Sequence, residues 1–221
     1  MTERRALPYF LMQNAFATAR ADEFGLSRGR MRASDLQSPF RGVRSEGLDL
    51  DNLVHRCRAA ATFMTEQEAF CHSTALGLWG APLPAGLDSA AGALHIATRG
   101  TTRRRRAGVV GHRLATQTQL QASPDGLVTV APAAAWCQFA SQRGDRTREK
   151  MLLALVATGD YLITGRRIPG GREPAACTLT QLQHAIDAHG RARGARLLAE
   201  ALPLGARGRS CYPYAAGAAR A

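Results

Sequence analysis

Apolar positions recur along the chain at two spacings, and each predicts an element. Phe10, Leu11, Asn14, Ala15, Thr18 and Ala19 share one face at helical spacing, with Phe24 and Leu26 packing beneath the turn that follows. Gly25 suits the left-handed residue that ends a helix, and Ser27 suits the cap of the next. That second helix is predicted over Ser27 to Leu36, with Met31 and Leu36 inward, until Pro39 stops it. Phe40-Arg41-Gly42-Val43-Arg44 then predicts a short β ribbon. Helix, turn, helix and ribbon in that order make a winged helix-turn-helix, which with a connector helix over Leu53 to Ala61 fills residues 1–62.

The remainder, 63–203, reads as a mixed α/β domain with a small antiparallel sheet, so the fold class expected is α+β. Thr65 to Glu68 has the form of a capping box ahead of an apolar helix, Ala69 to Trp79. Leu94 to Thr98 and Val109 to Leu114 alternate as a β-hairpin whose loop holds Arg103 to Arg106, and Gly126 to Val130 is a third strand. Pro132 opens a helix through Trp136, and further helices are predicted over 147–163, after the capping box Thr178-Leu179-Thr180-Gln181, and over Ala192 to Leu202. Residues 165–176 read as a Gly/Pro/Arg loop. Residues 204–221 lack periodicity and are expected to be a disordered, frameshifted or truncated tail.

Charge changes this picture more than composition does. The net charge of +12 comes from 28 arginines and one lysine, and residues 99–124 hold six arginines without an acid. Such a balance favours a polyanionic partner, double-stranded DNA first. The lone Lys150 stands outside any Gly-Lys-Ser/Thr context, which excludes a P-loop. No apolar stretch is long enough to span a membrane, and five unpatterned cysteines point to a reduced, cytoplasmic protein.

The candidate DNA contacts are therefore Ser27, Arg28, Arg30 and Arg32 on the second helix and Arg41 and Arg44 on the wing. Arg103, Arg104, Arg105, Arg106 and Arg113 are candidate phosphate contacts, which strengthen binding without reading sequence. Gly25-Leu26-Ser27-Arg28-Gly29 has the letters of a nucleophile elbow, but the charged segment before it is no buried strand. Cys57, Cys71 and His72 lack zinc-site spacing, and His95 and His112 read as an ordinary cross-strand pair. No metal, cofactor or catalytic residue is expected, and Trp79 and Trp136 read as core anchors.

Several runs together resemble one bacterial family. They are Gly25-Leu26-Ser27-Arg28-Gly29-Arg30, Ser38-Pro39-Phe40-Arg41-Gly42-Val43-Arg44, and His72-x-Thr74-Ala75 with Leu78-Trp79-Gly80-x-Pro82-Leu83-Pro84. Gly108-Val109-Val110-Gly111-His112-Arg113, Val156-Ala157-x-Gly159-Asp160-x-Leu162 and Arg193-Gly194-Ala195-Arg196 complete the set. Over residues 9–204 the chain resembles AbiEi-like antitoxins of type IV toxin–antitoxin systems. The resemblance implies a non-enzymatic transcriptional regulator that binds its own promoter and pairs with a toxin encoded nearby. Many such proteins continue into a nuclease-like domain similar to very-short-patch-repair endonucleases, so the alternative is the inactive DNA-recognition half of such an enzyme. Two departures stand out. Ala135-Trp136-Cys137-Gln138 replaces the Thr-Trp-x-Asp of the pattern, and Ser210-Cys211-Tyr212-Pro213-Tyr214 replaces its Ser-Pro-x-Glu-Thr continuation.

Overall fold

The computed structural model describes residues 6–85, 92–100, 102–142 and 147–207. The protein is α+β: a six-stranded mixed sheet, two small antiparallel ribbons and seven α-helices among the described residues. The predicted tail lies, from residue 208 onward, outside the described residues, while 204–207 belong to the last helix.

The amino-terminal segment departs from the helix-turn-helix expectation. In place of a helix over 10–19 there is a 3-10 turn at Tyr9–Leu11, a short strand β1 (Ala15–Ala17), and 3-10 turns at Thr18–Arg20 and Asp22–Phe24. Gln13 takes a left-handed φ of 55°, which breaks any helix there, and Phe16 is buried from an extended backbone. The second helix shrinks to α1 (Arg28–Met31), because Arg30 bends back to chelate Asp35 and the chain turns. Gly25 (φ 65°) and the Ser27 cap occur as the sequence predicts. The wing is reduced to β2 (Val43–Ser45), which pairs with β1 rather than within a hairpin of its own. Leu7, Leu11, Phe16, Ala21, Leu26 and Met31 bury a small core beneath this segment.

Beyond it come α2 (Leu53–Ala61), β3 (Glu68–Phe70), α3 (His72–Leu78), β4 (Leu94–Arg99), β5 (Arg105–Arg106), β6 (Val109–Leu114), β7 (Leu120–Ala122) and β8 (Val128–Val130). The sheet order is β5-β6-β4-β3-β8-β7. Two expectations are corrected here. The start of the predicted 69–79 helix is instead the strand β3, whose three buried residues are gripped between β4 and β8, so tertiary pairing overrides local helical propensity. The predicted hairpin of β4 and β6 is a parallel pair, Leu94 opposite Val109 through Arg99 opposite Leu114. The chain reverses once more through β5, which takes the outer edge antiparallel to β6. Gly108 (φ 78°) makes the turn into β6, and Gly111 lacks the Cβ that would collide with the Arg104 backbone.

The last elements are α4 (Pro132–Phe139), α5 (Arg148–Thr164), a ribbon of β9 (Arg167–Ile168) and β10 (Gly171–Arg172) inside the expected loop, α6 (Leu179–His189) and α7 (Ala195–Arg207). Pro132 at the first turn of α4 and the Thr178–Gln181 capping box on α6 match the sequence signals. The sheet separates two cores. On one face Ala97, Leu114 and Val130 meet α3 to α7 around the buried Trp136, whose indole donates to the Leu155 carbonyl at 2.9 Å. On the other, Phe70, Leu94 and Ile96 meet α2, Phe40, Val43 and Leu48. No helix among the described residues is long and apolar enough to cross a membrane.

Candidate functional site

Two concentrations of chemistry arise from this frame, one about the β5 edge and the amino-terminal segment, the other between the sheet and α3. The first is basic. Arg28, Arg32, Arg41, Arg103, Arg105 and Arg113 are exposed. The Arg106 guanidinium lies 3.9 Å from the centre of the Phe63 ring and donates to the Arg41 carbonyl at 2.5 Å. That bond joins the loop before β2 to the β5 edge, so Arg41 and Arg106, 65 residues apart, meet at one rim. Partial burial first, and then the charges of Arg104 and Arg41, push the Arg106 guanidinium below its usual range.

Not every arginine chosen from the sequence joins this rim. Arg30 is turned inward, 8% exposed, and its two terminal nitrogens each donate to Asp35 at 2.9 Å. Arg44 is half-buried and spends its donors on the Met31 carbonyl, the Ser38 hydroxyl and the Val43 carbonyl, tying α1 to β2. Arg104 grips buried Glu68, donating from Nε at 2.6 Å and again from Nη2. Burial alone would push the Glu68 carboxyl up, but the Arg104 hydrogen bond, the Thr65 N–H, the Arg104 charge and the Thr98 hydroxyl together hold it below its ordinary value. These three guanidiniums are braces of the fold. Ser27 is exposed, its hydroxyl accepting from the Arg30 N–H as the α1 cap.

A second basic feature was legible only as an excess of arginine near the end. Arg148, Arg191, Arg193 and Arg196 line an open groove between α6, α7 and the start of α5, in which Arg148 is paired with Glu200.

The sheet face toward α3 carries histidines that sequence reasoning treated separately. β4 alternates, so His95 points with Ala97 toward α3 and α4 while Leu94 and Ile96 point away. On β6, His112 stands opposite Ala97 and therefore on the same face. His72, the first residue of α3, stacks its ring on that of His112 at 3.8 Å. His95 Nδ1 is 2.8 Å from His112 Nε2, and Cys71 Sγ is 3.1 Å from His72 Nδ1. Cys57 lies apart, buried on α2 in the other core.

Glutamines from the end of α4 organise the cluster. The Ser73 N–H donates to Gln142 Oε1 at 2.9 Å, which fixes the amide orientation and directs its NH₂ at His95 Nε2, 2.7 Å away. His95 must then accept at Nε2 and donate from Nδ1 to His112. Gln138, the residue that departs from the Thr-Trp-x-Asp pattern, accepts from the His72 N–H at 3.2 Å. His72 itself has a left-handed φ of 54°, a conformation that costs a residue with a side chain on the order of 1–3 kcal/mol. Burial lowers the affinity of all three rings for a proton, and neighbouring charge adds to it: His112, His95 and His189 for His72, His112 for His95, and Arg103 for His112. His95 falls to about 4, and His72 well below the usual range. Burial raises the Cys71 thiol far above its ordinary value. The cluster is thus neutral, with imidazole lone pairs and a thiol turned on one another.

No protein-family model and no curated protein sequence matches the chain.

Proposed function

We propose that this protein is a non-enzymatic, cytoplasmic DNA-binding regulator of AbiEi-like antitoxin type, pairing with a cognate toxin, and that it grips duplex DNA through the exposed arginines Arg28, Arg32, Arg41, Arg103, Arg105 and Arg113, about the rim where the loop before β2 meets β5. The observation that carries the reading is the Arg106 bond to the Arg41 carbonyl, which sets the loop before β2 beside the β5 edge. Exposed guanidiniums repel one another, and a polyanion relieves that repulsion while releasing its own counterions. Arg30, Arg44 and Arg104 leave the contact set, because their donors are used inside the protein. Without a full recognition helix, base reading falls to the short α1 and the residues after it, where exposed Arg28 and Arg32 can fork onto guanine.

The test is a salt titration of binding to the protein's own promoter and to random duplex of equal length. A regulator binds its promoter about 10³-fold or more tighter than random duplex. Arg41→Ala and Arg105→Ala each give up one phosphate and reduce the log–log salt slope by about 0.9. Equal affinity for both duplexes would discard the regulator reading in favour of a recognition fragment. A slope untouched by both substitutions would discard the rim.

A further inference from the structure

The histidine face was assigned no role by the sequence, and its geometry is that of a ligand set. Cys71 Sγ and one ring nitrogen each of His72 and His112 lie within 4.8 Å of one another, the sole such group among the described residues. We propose that Cys71, His72 and His112 bind one transition-metal dication of the zinc class, with His95 and Gln142 as positioning residues. The proposal is independent of the DNA reading.

The donor chemistry selects the ion. One thiolate and two imidazoles suit a borderline-soft cation, and they suit magnesium or calcium poorly. Tetrahedral bonds of about 2.0–2.3 Å place neighbouring ligand atoms roughly 3.4 Å apart, so the three atoms close in from within 4.8 Å and the stacked His72 and His112 rings open to aim their lone pairs at one ion. Cys71 Sγ and His72 Nδ1 lie 3.1 Å apart, and with the ring accepting at Nδ1 the thiol proton lies between them. A cation entering there replaces that proton: the S–H bond breaks, the sulfur pair forms the metal bond, and the proton leaves to solvent. His72 keeps a neutral ring, its Nδ1 lone pair turning from the thiol proton to the metal.

Two further observations point to a ligand. His72 holds a left-handed backbone at the very residue that would ligate, and the Gln138 oxygen secures its N–H there. A relay, Ser73 N–H to Gln142, Gln142 to His95, His95 to His112, keeps the His112 Nε2 unprotonated, its lone pair facing the His95 N–H. An ion bound at that nitrogen takes the place of the His95 N–H, and the relay has already set the tautomer and orientation of the ring. His112 is only half-buried, which leaves a path from solvent.

The full untagged chain, stripped with chelator and dialysed against cobalt(II) or zinc, tests this. The expected result is one tightly held ion per chain. With cobalt, four-coordinate visible bands appear together with a thiolate charge-transfer band in the near ultraviolet. Cys71→Ser removes that band, His112→Ala weakens binding by about 100-fold or more, and Gln142→Ala by about 10–100-fold. Exposed His184→Ala changes nothing. The wild-type spectrum needs no variant, so misfolding of a substituted chain does not blunt the test. Absence of a retained ion, a cobalt spectrum without the sulfur band, or equal affinity in His112→Ala and His184→Ala would overturn the proposal.

Discussion

The two faces of the central sheet hold opposite solutions to the problem of placing nitrogen-rich side chains. On the face toward α2, arginines stay charged. Those that go inside are matched by carboxylates or backbone carbonyls, as Arg104 is by Glu68 and Arg44 by Met31, and the unmatched ones remain in water. On the face toward α3 and α4, histidines go inside by giving up their protons and bonding to one another and to amides. β6 shows both within adjacent residues, since His112 points into the cluster and Arg113 into solvent. Guanidinium cannot be neutralised at accessible pH and imidazole can, so burial sorts the two by side-chain chemistry.

The charged face breaks most readily at its anchor. Glu68→Gln leaves Arg104 beside an amide and is expected to cost about 3–5 kcal/mol in urea unfolding. Adding Arg104→Ala to it recovers part of that loss, whereas simple additivity of the two would show that the pair is not coupled. Next in size is Arg30→Ala, which takes the guanidinium from Asp35 and with it charged hydrogen bonds worth about 1.5–3 kcal/mol. Promoter affinity per folded molecule stays unchanged in this variant, in contrast with Arg32→Ala, and a matching fall in both would return Arg30 to the binding surface.

The neutral face is probed by acid. Its histidines have folded-state proton affinities below those of the unfolded chain, so unfolding takes up protons once the pH drops beneath about 6.5. Stability is therefore intact above that pH and is lost as the pH falls. For His95 the loss runs down to about 4, at up to about 1.4 kcal/mol per pH unit, after which both states are protonated. His72 and His112 act in the same direction. Thermal melts between these limits should show a shallower pH slope in His95→Asn, and an unchanged slope would mean that the ring is not held neutral.

How far the sequence revealed these faces depended on range. α2, α4, α5 and α6 follow from helical spacing, with Pro132 and the Thr178 capping box marking the starts of α4 and α6, signals contained within a few residues. β3 and the parallel β4–β6 pair do not, because their partners lie far along the chain and local alternation carries no strand direction. The histidine cluster draws on positions 72, 95 and 112, and no local spacing rule links them. Arg30 had a visible warning in Asp35, five residues on, which a continuous helix would have placed off its face.

The parallel register of β4 and β6 also works as a gauge of correct assembly. A slip of one residue would exchange His112 for Arg113, putting a permanent cation into the apolar interior and an uncharged ring into the solvent-facing row. Gly111 would move out of the gap where only a hydrogen fits beneath the Arg104 backbone. An insertion in the stretch before β5 leaves this alignment alone, whereas one added residue between Gly108 and His112 dismantles both surfaces at once. Any handle on the imidazole trio, optical or magnetic, would therefore report whether the strands have closed in the right phase.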